Sequence, residues 1–90
     1  MDFEWDSAKA AGNLAKHGVS FEEATTALRD TLSVTGRDPD HSVEENRYIT
    51  IGNSSNGRLL FVSHTERGSR IRIISSRPAT RSERKIYEEG

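Results

Sequence analysis

The sequence predicts a single α+β domain over residues 1–90, in the element order α-α-β-β-β-β-α. Two short helix patterns with clear end signals open the chain. Two dipeptides typical of tight turns, Asn56-Gly57 and Arg67-Gly68, then link stretches of alternating polarity, as in an antiparallel meander. A capping box introduces a last helix. Helices gathered on one face of an antiparallel sheet make an α+β fold.

The first helix is predicted from Ser7 to His17. Asp6 can cap its first turn, and Gly18 supplies the left-handed residue that ends many helices. The apolar side of this helix is predicted from spacings of three and four residues. That side comprises Ala8, Ala11, Leu14 and Ala15. The two aromatic residues ahead of the cap are expected to pack into the core.

A second helix is predicted from Ser20 to about Arg29, because Ser20 and Glu23 can form a capping box. A short strand over Leu32–Thr35 is expected to follow it. The polar stretch Gly36–Asn46 then predicts a surface loop, since it is rich in charged and turn-forming residues.

The meander is predicted from three strands, Arg47–Ser54, Arg58–Thr65 and Arg70–Ser76. Two-residue turns fix the pairing of such strands, and the pairing decides which side chains share a face. The core face obtained in this way comprises Ile49, Ile51, Leu60, Val62, Ile71 and Ile73. A second turn of three or five residues would reverse the faces of the last strand.

The opposite face of the meander is predicted to carry hydroxyl groups, aromatic residues and arginines. It comprises Tyr48, Thr50, Gly52, Ser63, Thr65, Arg70 and Arg72, with Phe61 and Ile74 beside them. Exposed arginines among hydroxyls and an aromatic ring suit a phosphodiester and a stacked base. An ordinary solvated sheet face is the competing interpretation.

Past the sheet, Thr80 and Glu83 predict a capping box for a helix over Arg81–Glu89. This helix adds cations on one side, because they are spaced by three and four residues. They are Arg81, Arg84 and Lys85. Arg77 lies where the sheet passes into the helix, so a phosphate at this junction could meet arginines from two elements.

The net charge of −1 hides a division along the chain. Residues 1–46 hold four basic and ten acidic side chains, whereas residues 47–90 hold nine basic and four acidic ones. This asymmetry indicates an anionic ligand at one end, or two halves that attract each other. The absence of cysteine excludes disulfides and thiolate metal sites. No apolar run approaches the ~20 residues of a membrane span, and no signal peptide is visible. A cytoplasmic protein is therefore expected.

Several titratable residues have two interpretations. His64 is predicted on the core-facing side near a strand end, where a satisfied core histidine competes with a catalyst. Glu66 follows it at the turn, and either pairs with arginines or acts as a base or an orienting group. His41 is interpreted as part of a solvated loop. Lys16 and His17 end the first helix, where cations suit the helix dipole, and are further candidates for RNA contact.

Two stretches of the chain resemble the BrnT toxins, which are the ribonuclease halves of type II toxin–antitoxin pairs. They are FEWDSAKAAGNLAKHGVSFEEA (Phe3–Ala24) and HTERGSRIRIISSRPATRSERKIYEE (His64–Glu89). The similarity runs nearly end to end, with a local departure at Ser76, where the family often has Ala. The resemblance implies a RelE-like toxin fold with two N-terminal helices, a four-stranded antiparallel sheet and a C-terminal helix.

The resemblance also implies an activity and partners. The activity is RNA cleavage that arrests growth. The partner is a BrnA-like antitoxin with a ribbon-helix-helix segment, and only this complex binds operator DNA and represses the operon. In such folds the active site lies on the open sheet face and the adjoining helix. Here that site maps to Arg70, Arg72, Arg77 and Arg81, with Glu66 and His64 at the turn. The expected catalytic residues are Arg70, Arg72, Arg77, Glu66 and His64. The expected RNA contacts, most of which follow from the pattern of cations and aromatic residues, are Tyr48, Arg81, Arg84, Lys85, Lys16 and His17.

The predicted reaction is a metal-independent attack of the RNA 2′-OH on its own phosphorus. Fixed guanidinium groups can stabilise the charge that grows on the non-bridging oxygens. Arg70 and Arg72 are assigned to the phosphate, Arg77 to the leaving 5′-oxygen, and Glu66 or His64 to the 2′-OH proton. No cofactor or membrane partner is expected. The alternatives are a non-catalytic nucleic-acid-binding module and a protein-interaction domain whose arginines meet an acidic partner.

Overall fold

The computed structural model describes residues 1–39 and 46–90, so that His41 lies outside the described residues. The elements are β1 (Asp2–Glu4), α1 (Ser7–His17), α2 (Phe21–Leu28), β2 (Val34–Arg37), β3 (Arg47–Asn53), β4 (Leu59–Arg67), β5 (Arg70–Pro78) and α3 (Arg81–Glu89). One five-stranded sheet has the order β1-β5-β4-β3-β2. The predicted α+β class is confirmed. Among the described helices none is long and apolar enough to span a membrane.

The predicted four-stranded antiparallel sheet is wrong at its edge, because β1 adds a parallel strand to β5. Glu4 of β1 pairs with Arg72 of β5. Phe3, between the outer residues of β1, packs against the core together with Trp5, as the sequence predicted for both. The ring of Trp5 meets the ring of Phe21 edge-on at 6.0 Å. Three residues are too few to show a strand period, so the pattern of the chain could not reveal β1.

The helices have the bounds that their end signals predict. Asp6 accepts a hydrogen bond from the amide of Lys9 at 3.0 Å, and Gly18 ends α1 with a φ of 68°. At α3, Thr80 and Glu83 form the complete capping box. By contrast, β2 begins and ends two residues later than predicted and takes its last two residues from the expected loop.

The side of α1 that faces the sheet differs from the predicted one. The predicted side is exposed: Ala8, Ala11, Leu14 and Ala15. Asn13 faces the sheet instead, and its amide nitrogen donates to the carbonyls of Val19 at 2.9 Å and Ser76 at 2.8 Å. Its side-chain oxygen accepts from the amide of Ser76 at 3.0 Å. Hydrogen bonds of a buried amide therefore orient α1, which apolar spacing could not predict.

A buried ion pair joins α2 to the hairpin of β3 and β4. Glu23 does not complete the predicted capping box. Its carboxylate accepts from the hydroxyl of Ser54 at 2.7 Å and from the guanidinium of Arg58 at 2.7 and 2.8 Å. These hydrogen bonds, that of Arg58 foremost, lower the pKa of Glu23 to about 2. Arg58 also donates to the carbonyl of Gly18 at 2.7 Å, and so holds the turn between α1 and α2.

The first hairpin turn contains one residue more than predicted. The amide of Ser54 donates to the carbonyl of Arg58 at 2.9 Å, and the amide of Gly57 donates back to Ser54. Gly57 has a φ of 79°, as in three-residue loops that end in a left-handed glycine. The strand register therefore changes by one, and Thr50 pairs with Val62.

A change of one residue in register reverses the faces of β3. Ile49 and Ile51, predicted in the helix-covered core, lie on the opposite face. Tyr48 and Thr50, predicted among the arginines, lie on the helix side. The helix-side core comprises Val19, Phe21, Ala24, Ala27, Leu60, Val62 and Ile73. Leu60, Val62 and Ile73 of this core were predicted there. Ile71, also predicted there, is half-buried on the same side.

The second hairpin turn is Gly68-Ser69, one position later than predicted. The pairing of β4 with β5 therefore differs by two residues from the predicted pairing. A shift of two residues leaves the side chains of β5 on their predicted faces. Arg70 and Arg72 therefore lie away from α1 and α2, as predicted. A bulge then leaves Ile74 without a partner in the β4 register, and Arg77 joins the same face as the other two arginines.

Asn13→Ala is expected to lower the free energy of unfolding by about 2–4 kcal/mol, because it leaves buried backbone groups of Val19 and Ser76 without partners. Ser76→Ala is the matched control. The hydroxyl of Ser76 is buried and has no hydrogen-bond partner among the described residues, so its removal should be neutral or stabilising. Urea unfolding measures both variants, and a cost below about 1 kcal/mol for Asn13→Ala would contradict its role.

Candidate nucleic-acid interface

The sheet face turned away from α1 and α2 is called the arginine face. By the strand register it comprises Arg47, Ile49, Ile51, Phe61, Ser63, Thr65, Arg67, Arg70, Arg72, Ser75 and Arg77. Helix α3 lies beside it, since Glu83 and Ile86 line the same cleft as Ile49 and Ile51. Arg70, Arg72 and Arg77 are thus on one face, and Arg77 lies next to the last helix.

The first arginine cluster surrounds Glu4. Nη1 of Arg72 donates to Oε2 of Glu4 at 2.9 Å, and Nη1 of Arg70 lies 3.8 Å from Oε1 of the same carboxylate. The side chain of Arg70 is 61% exposed and that of Arg72 is 28% exposed. Arg72 is therefore held in place while Arg70 is open to solvent. Because Asp2 pairs with Arg70 on the same face, the two arginines stand beside two carboxylates, and the exposed Arg70 is the one open to an incoming anion.

The second cluster is built on Arg77. Its guanidinium donates to both carboxylate oxygens of Glu83, at 2.8 and 2.9 Å, and lies 4.0 Å from the centre of the Phe61 ring. Glu83 also accepts from the amide of Thr80 at 2.9 Å, so one carboxylate both caps α3 and holds Arg77. The hydrogen bond between them lowers the pKa of Glu83 and raises that of Arg77.

The two clusters stand in line along the sheet. Arg72 pairs with Thr65 and Arg77 pairs with Phe61, so four positions of β4 separate them. At ~3.3 Å per residue their backbones are about 13 Å apart. The sequence predicted one convergent set of arginines, whereas the structure forms two groups, each with its own carboxylate. Sequence reasoning missed the carboxylate Glu4, because its position depends on β1.

His64 and Glu66 extend from the other face of β4, since side chains alternate along a strand. His64 is buried, with its Nε2 2.8 Å from the hydroxyl of Thr50 and its ring stacked on Tyr48 at 5.9 Å. Burial lowers the pKa of His64 to about 4, so its ring is neutral at pH 7. The predicted core-facing position of His64 is confirmed. The structure does not bring His64, Glu66 or Tyr48 to the arginines.

The remaining candidate contacts lie on helices. Arg81, Arg84 and Lys85 are exposed on α3, close to the second cluster in sequence. Lys16 is exposed and His17 is half-buried at the end of α1, which packs on the helix side of the sheet. The structure therefore separates the cations of α1 from the arginine face. In residues 1–39 and 46–90 no group of three or more His, Asp or Glu side chains could hold a metal ion.

A cleft of about 640 Å³ opens on the arginine face between β2 and α3. Its apolar lining comprises Val34, Ile49, Ile51, Phe61, Ile74 and Ile86. Its charged lining comprises Arg37, Asp38, Arg47, Arg77 and Glu83. Sequence reasoning missed the cleft, because it assigned the isoleucines of β3 to the core. Only the correct length of the first hairpin turn could have shown it.

Comparison with known proteins agrees with the resemblance in the sequence. A family model described as the ribonuclease toxin BrnT of type II toxin–antitoxin systems matches residues 5–83. Among solved structures, the Brucella abortus ribonuclease toxin BrnT is similar, with a TM-score of 0.70 and 25% sequence identity. The match covers 90% of this chain and 99% of the Brucella chain. Comparison with curated proteins gives no match.

The buried ring of His64 is expected to make the protein less stable as the pH falls. Its pKa is about 4 in the folded chain and about 6.5 in an unfolded chain, so the unfolded state takes up the proton first. The contribution of His64 to the free energy of unfolding is fully present above about pH 6.5. It decreases by about 2–3 kcal/mol as the pH falls towards 4. Urea unfolding between about pH 7 and 5.5 measures the slope, since most carboxylates titrate below this range, near pH ~4.

His64→Gln is the matched variant for this slope, because glutamine is polar and does not titrate. We expect its stability to be nearly constant between about pH 7 and 5.5. An unchanged slope in the variant would show that another group carries the pH dependence.

Proposed function

The chain belongs to the family of BrnT ribonuclease toxins of type II toxin–antitoxin systems, and we propose that it is an endoribonuclease that arrests growth by cutting RNA. The arginine face carries the proposal: two arginine clusters stand in line beside an apolar cleft. This arrangement suits single-stranded RNA, whose phosphates follow one another while unstacked bases turn aside.

The proposed reaction is an internal transfer of the RNA phosphodiester. The 2′-oxygen attacks the adjacent phosphorus, and the bond from phosphorus to the 5′-oxygen breaks. The products are a 2′,3′-cyclic phosphate and a 5′-hydroxyl, and the proton lost by the 2′-OH is balanced by the one that the 5′-oxygen gains. Fixed guanidinium donors stabilise the charge on the non-bridging oxygens. This scheme uses no metal, and we expect cleavage in the presence of chelator.

We assign the scissile phosphate to the cluster of Glu4, Arg70 and Arg72. Arg72 is held by Glu4 at 2.9 Å before any RNA arrives, which gives the preorganised donor that this chemistry needs. Glu4 is assigned as the acceptor of the 2′-OH proton, because it is the carboxylate of this cluster. It is preferred to His64 and Glu66, which extend from the other face of β4.

Arg77 is assigned to the neighbouring phosphate rather than to the leaving oxygen. The separation of about 13 Å between the backbones of Arg72 and Arg77 favours contact with successive phosphates over joint contact with one. A phosphate at Arg77 has to compete with Glu83, so this contact contributes to affinity. Arg81, Arg84 and Lys85 extend the positive surface along α3 and are proposed to bind RNA further from the scissile bond.

A BrnA-like antitoxin with a ribbon-helix-helix segment is the proposed protein partner, and the pair is proposed to repress its own operon. The type II class of the family supports a protein antitoxin. The site of action is proposed to be the cytoplasm, where RNA substrates and the operon are found.

A non-catalytic RNA-binding module is the second candidate. One observation favours it: Arg70, Arg72 and Arg77 each have a carboxylate partner. Phosphates that exchange with these carboxylates could bind the face without any cleavage. Purified protein that shifts RNA on a gel but leaves it intact would support this candidate.

Arg72→Ala is expected to slow RNA cleavage by about 10²–10³-fold, because it removes a fixed donor at the developing oxyanion. Arg77→Ala is expected to act mainly on RNA affinity and on its salt dependence. Arg72→Lys should restore part of the rate, since it keeps the charge and loses the planar fork. Single-turnover cleavage of a labelled RNA in chelator separates rate from affinity.

Arg29→Ala is the matched control for these variants. Arg29 is exposed at the end of α2, with its guanidinium 5.2 Å from the centre of the Phe3 ring, which packs on the helix side of the sheet. Arg58 is unsuitable, because its removal strands the buried carboxylate of Glu23. Cleavage by Arg72→Ala at the rate of Arg29→Ala would overturn the assignment of the scissile phosphate.

The toxin alone is expected to bind operator DNA poorly, and its complex with the proposed ribbon-helix-helix antitoxin is expected to bind it well. The reason is that recognition of the operator belongs to the ribbon-helix-helix segment of the antitoxin. A mobility-shift assay with operator and scrambled DNA measures the difference. Tight, specific operator binding by the toxin without its partner would contradict the proposal.

A further inference from the structure

We propose that the cleft between β2 and α3 binds one nucleobase of the RNA substrate, with the adjoining phosphate on Arg77. The identity of the ligand rests on the proposed function. The site itself rests on the apolar and serine lining of the cleft, which the assignment of the scissile phosphate does not use.

The size and floor of the cleft suit a base. Its volume of about 640 Å³ lies within the ~300–1,000 Å³ that is usual for small-molecule sites. Ile49 and Ile51 of β3 and Phe61 of β4 give it an apolar floor, and Ile86 of α3 closes one side. Every base has an apolar face that packs on such a surface.

Two hydroxyl groups give the cleft a means of discrimination. Ser63 and Ser75 pair across β4 and β5, and both line the cleft. A serine hydroxyl can donate one hydrogen bond and accept others, so it can read the edge of a base. Their small side chains also leave space between Phe61 and Ile74 for a flat ring.

Arg77 marks the phosphate end of the site. The two oxygens of Glu83 occupy the fork of its guanidinium at 2.8 and 2.9 Å. A phosphate offers the same paired acceptors, so it can take the place of this carboxylate. The aromatic ring of Phe61 supports the guanidinium from below at 4.0 Å, which keeps the fork in position during the exchange.

The charge around the cleft favours a nucleotide over an apolar peptide. Among the described residues, its charged lining comprises Arg37, Arg47, Arg77, Asp38 and Glu83. The fork of Arg77 suits the anionic end of a ligand whose apolar body fills the floor, and a nucleotide has both parts. An apolar peptide segment would fill the floor but would offer no anion to Arg77.

The test uses the 3′-monophosphates of adenosine, guanosine, cytidine and uridine as probes, with inorganic phosphate for comparison. Isoleucine methyl NMR of the whole chain reports where each probe binds. We expect at least one mononucleotide to shift the methyls of the cleft, which belong to Ile49, Ile51, Ile74 and Ile86. The methyl of Ile73, in the helix-side core, should not shift. The mononucleotide should bind at least tenfold more tightly than phosphate.

Gly36→Phe is designed to fill the cleft. Gly36 pairs with Ile49 and lines the cleft, and a Cβ at this position meets nothing within 4 Å. Gly12→Phe is the matched control, because Gly12 lies on the exposed side of α1 and is equally unobstructed. Gly36→Phe is expected to weaken mononucleotide binding at least tenfold and to change the base preference of RNA cleavage, whereas Gly12→Phe should do neither. If Gly36→Phe does not fold, Ile86→Trp obstructs the cleft from α3, where Ile86 is 51% exposed.

The outcomes separate this inference from the proposed function. Absence of cleft shifts with all four mononucleotides overturns the inference and makes an apolar peptide the favoured occupant. Cleavage with an unchanged base preference in folded Gly36→Phe also overturns it, while the ribonuclease proposal stands. Binding of a mononucleotide in the cleft by a protein that never cuts RNA supports the inference and contradicts the ribonuclease.

Discussion

Three hydrogen bonds of one buried side chain, the amide of Asn13, decide how the helices sit on the sheet. They join α1 to the backbone at Val19, where α2 is about to begin, and at Ser76, just beyond the bulge of β5. The ion pair of Glu23 with Arg58 does the same for α2 and the first hairpin. A chain with 32% hydrophobic residues has a small core, so oriented polar contacts supply the positional precision that packing alone would not.

The same principle governs α3, in which no residue is buried. Its first turn is held by the pair of Arg77 and Glu83, and its last turn by the hydroxyl of Tyr87, which donates to Asp30 at 2.7 Å. Hydrogen bonds, that from the amide of Asn53 foremost, lower the pKa of Asp30. The wall of the cleft is thus attached by polar contacts at two points.

Local chemistry was predictable from the sequence, and tertiary pairing was not. Helix ends followed from their caps, because a cap is a contact between residues three positions apart. Asn56-Gly57 can close a loop of two or three residues, and in the three-residue loop Ser54 also bonds to Glu23 across the fold. The shared face of Arg70 and Arg72 was predictable because an error of two residues in register keeps the faces. The role of Glu4 was not predictable, because its partner Arg72 lies 68 positions away in the chain.

That separation also orders events during protein synthesis. β1 is translated first, yet its partner strand is among the last segments to leave the ribosome. At ~5–20 residues per second, about 3–14 s pass between the synthesis of Glu4 and of Arg72. Under the proposed assignment the nascent chain has no assembled catalytic cluster during this time. Under that assignment, a chain built in this way cannot cut RNA until its synthesis is almost complete.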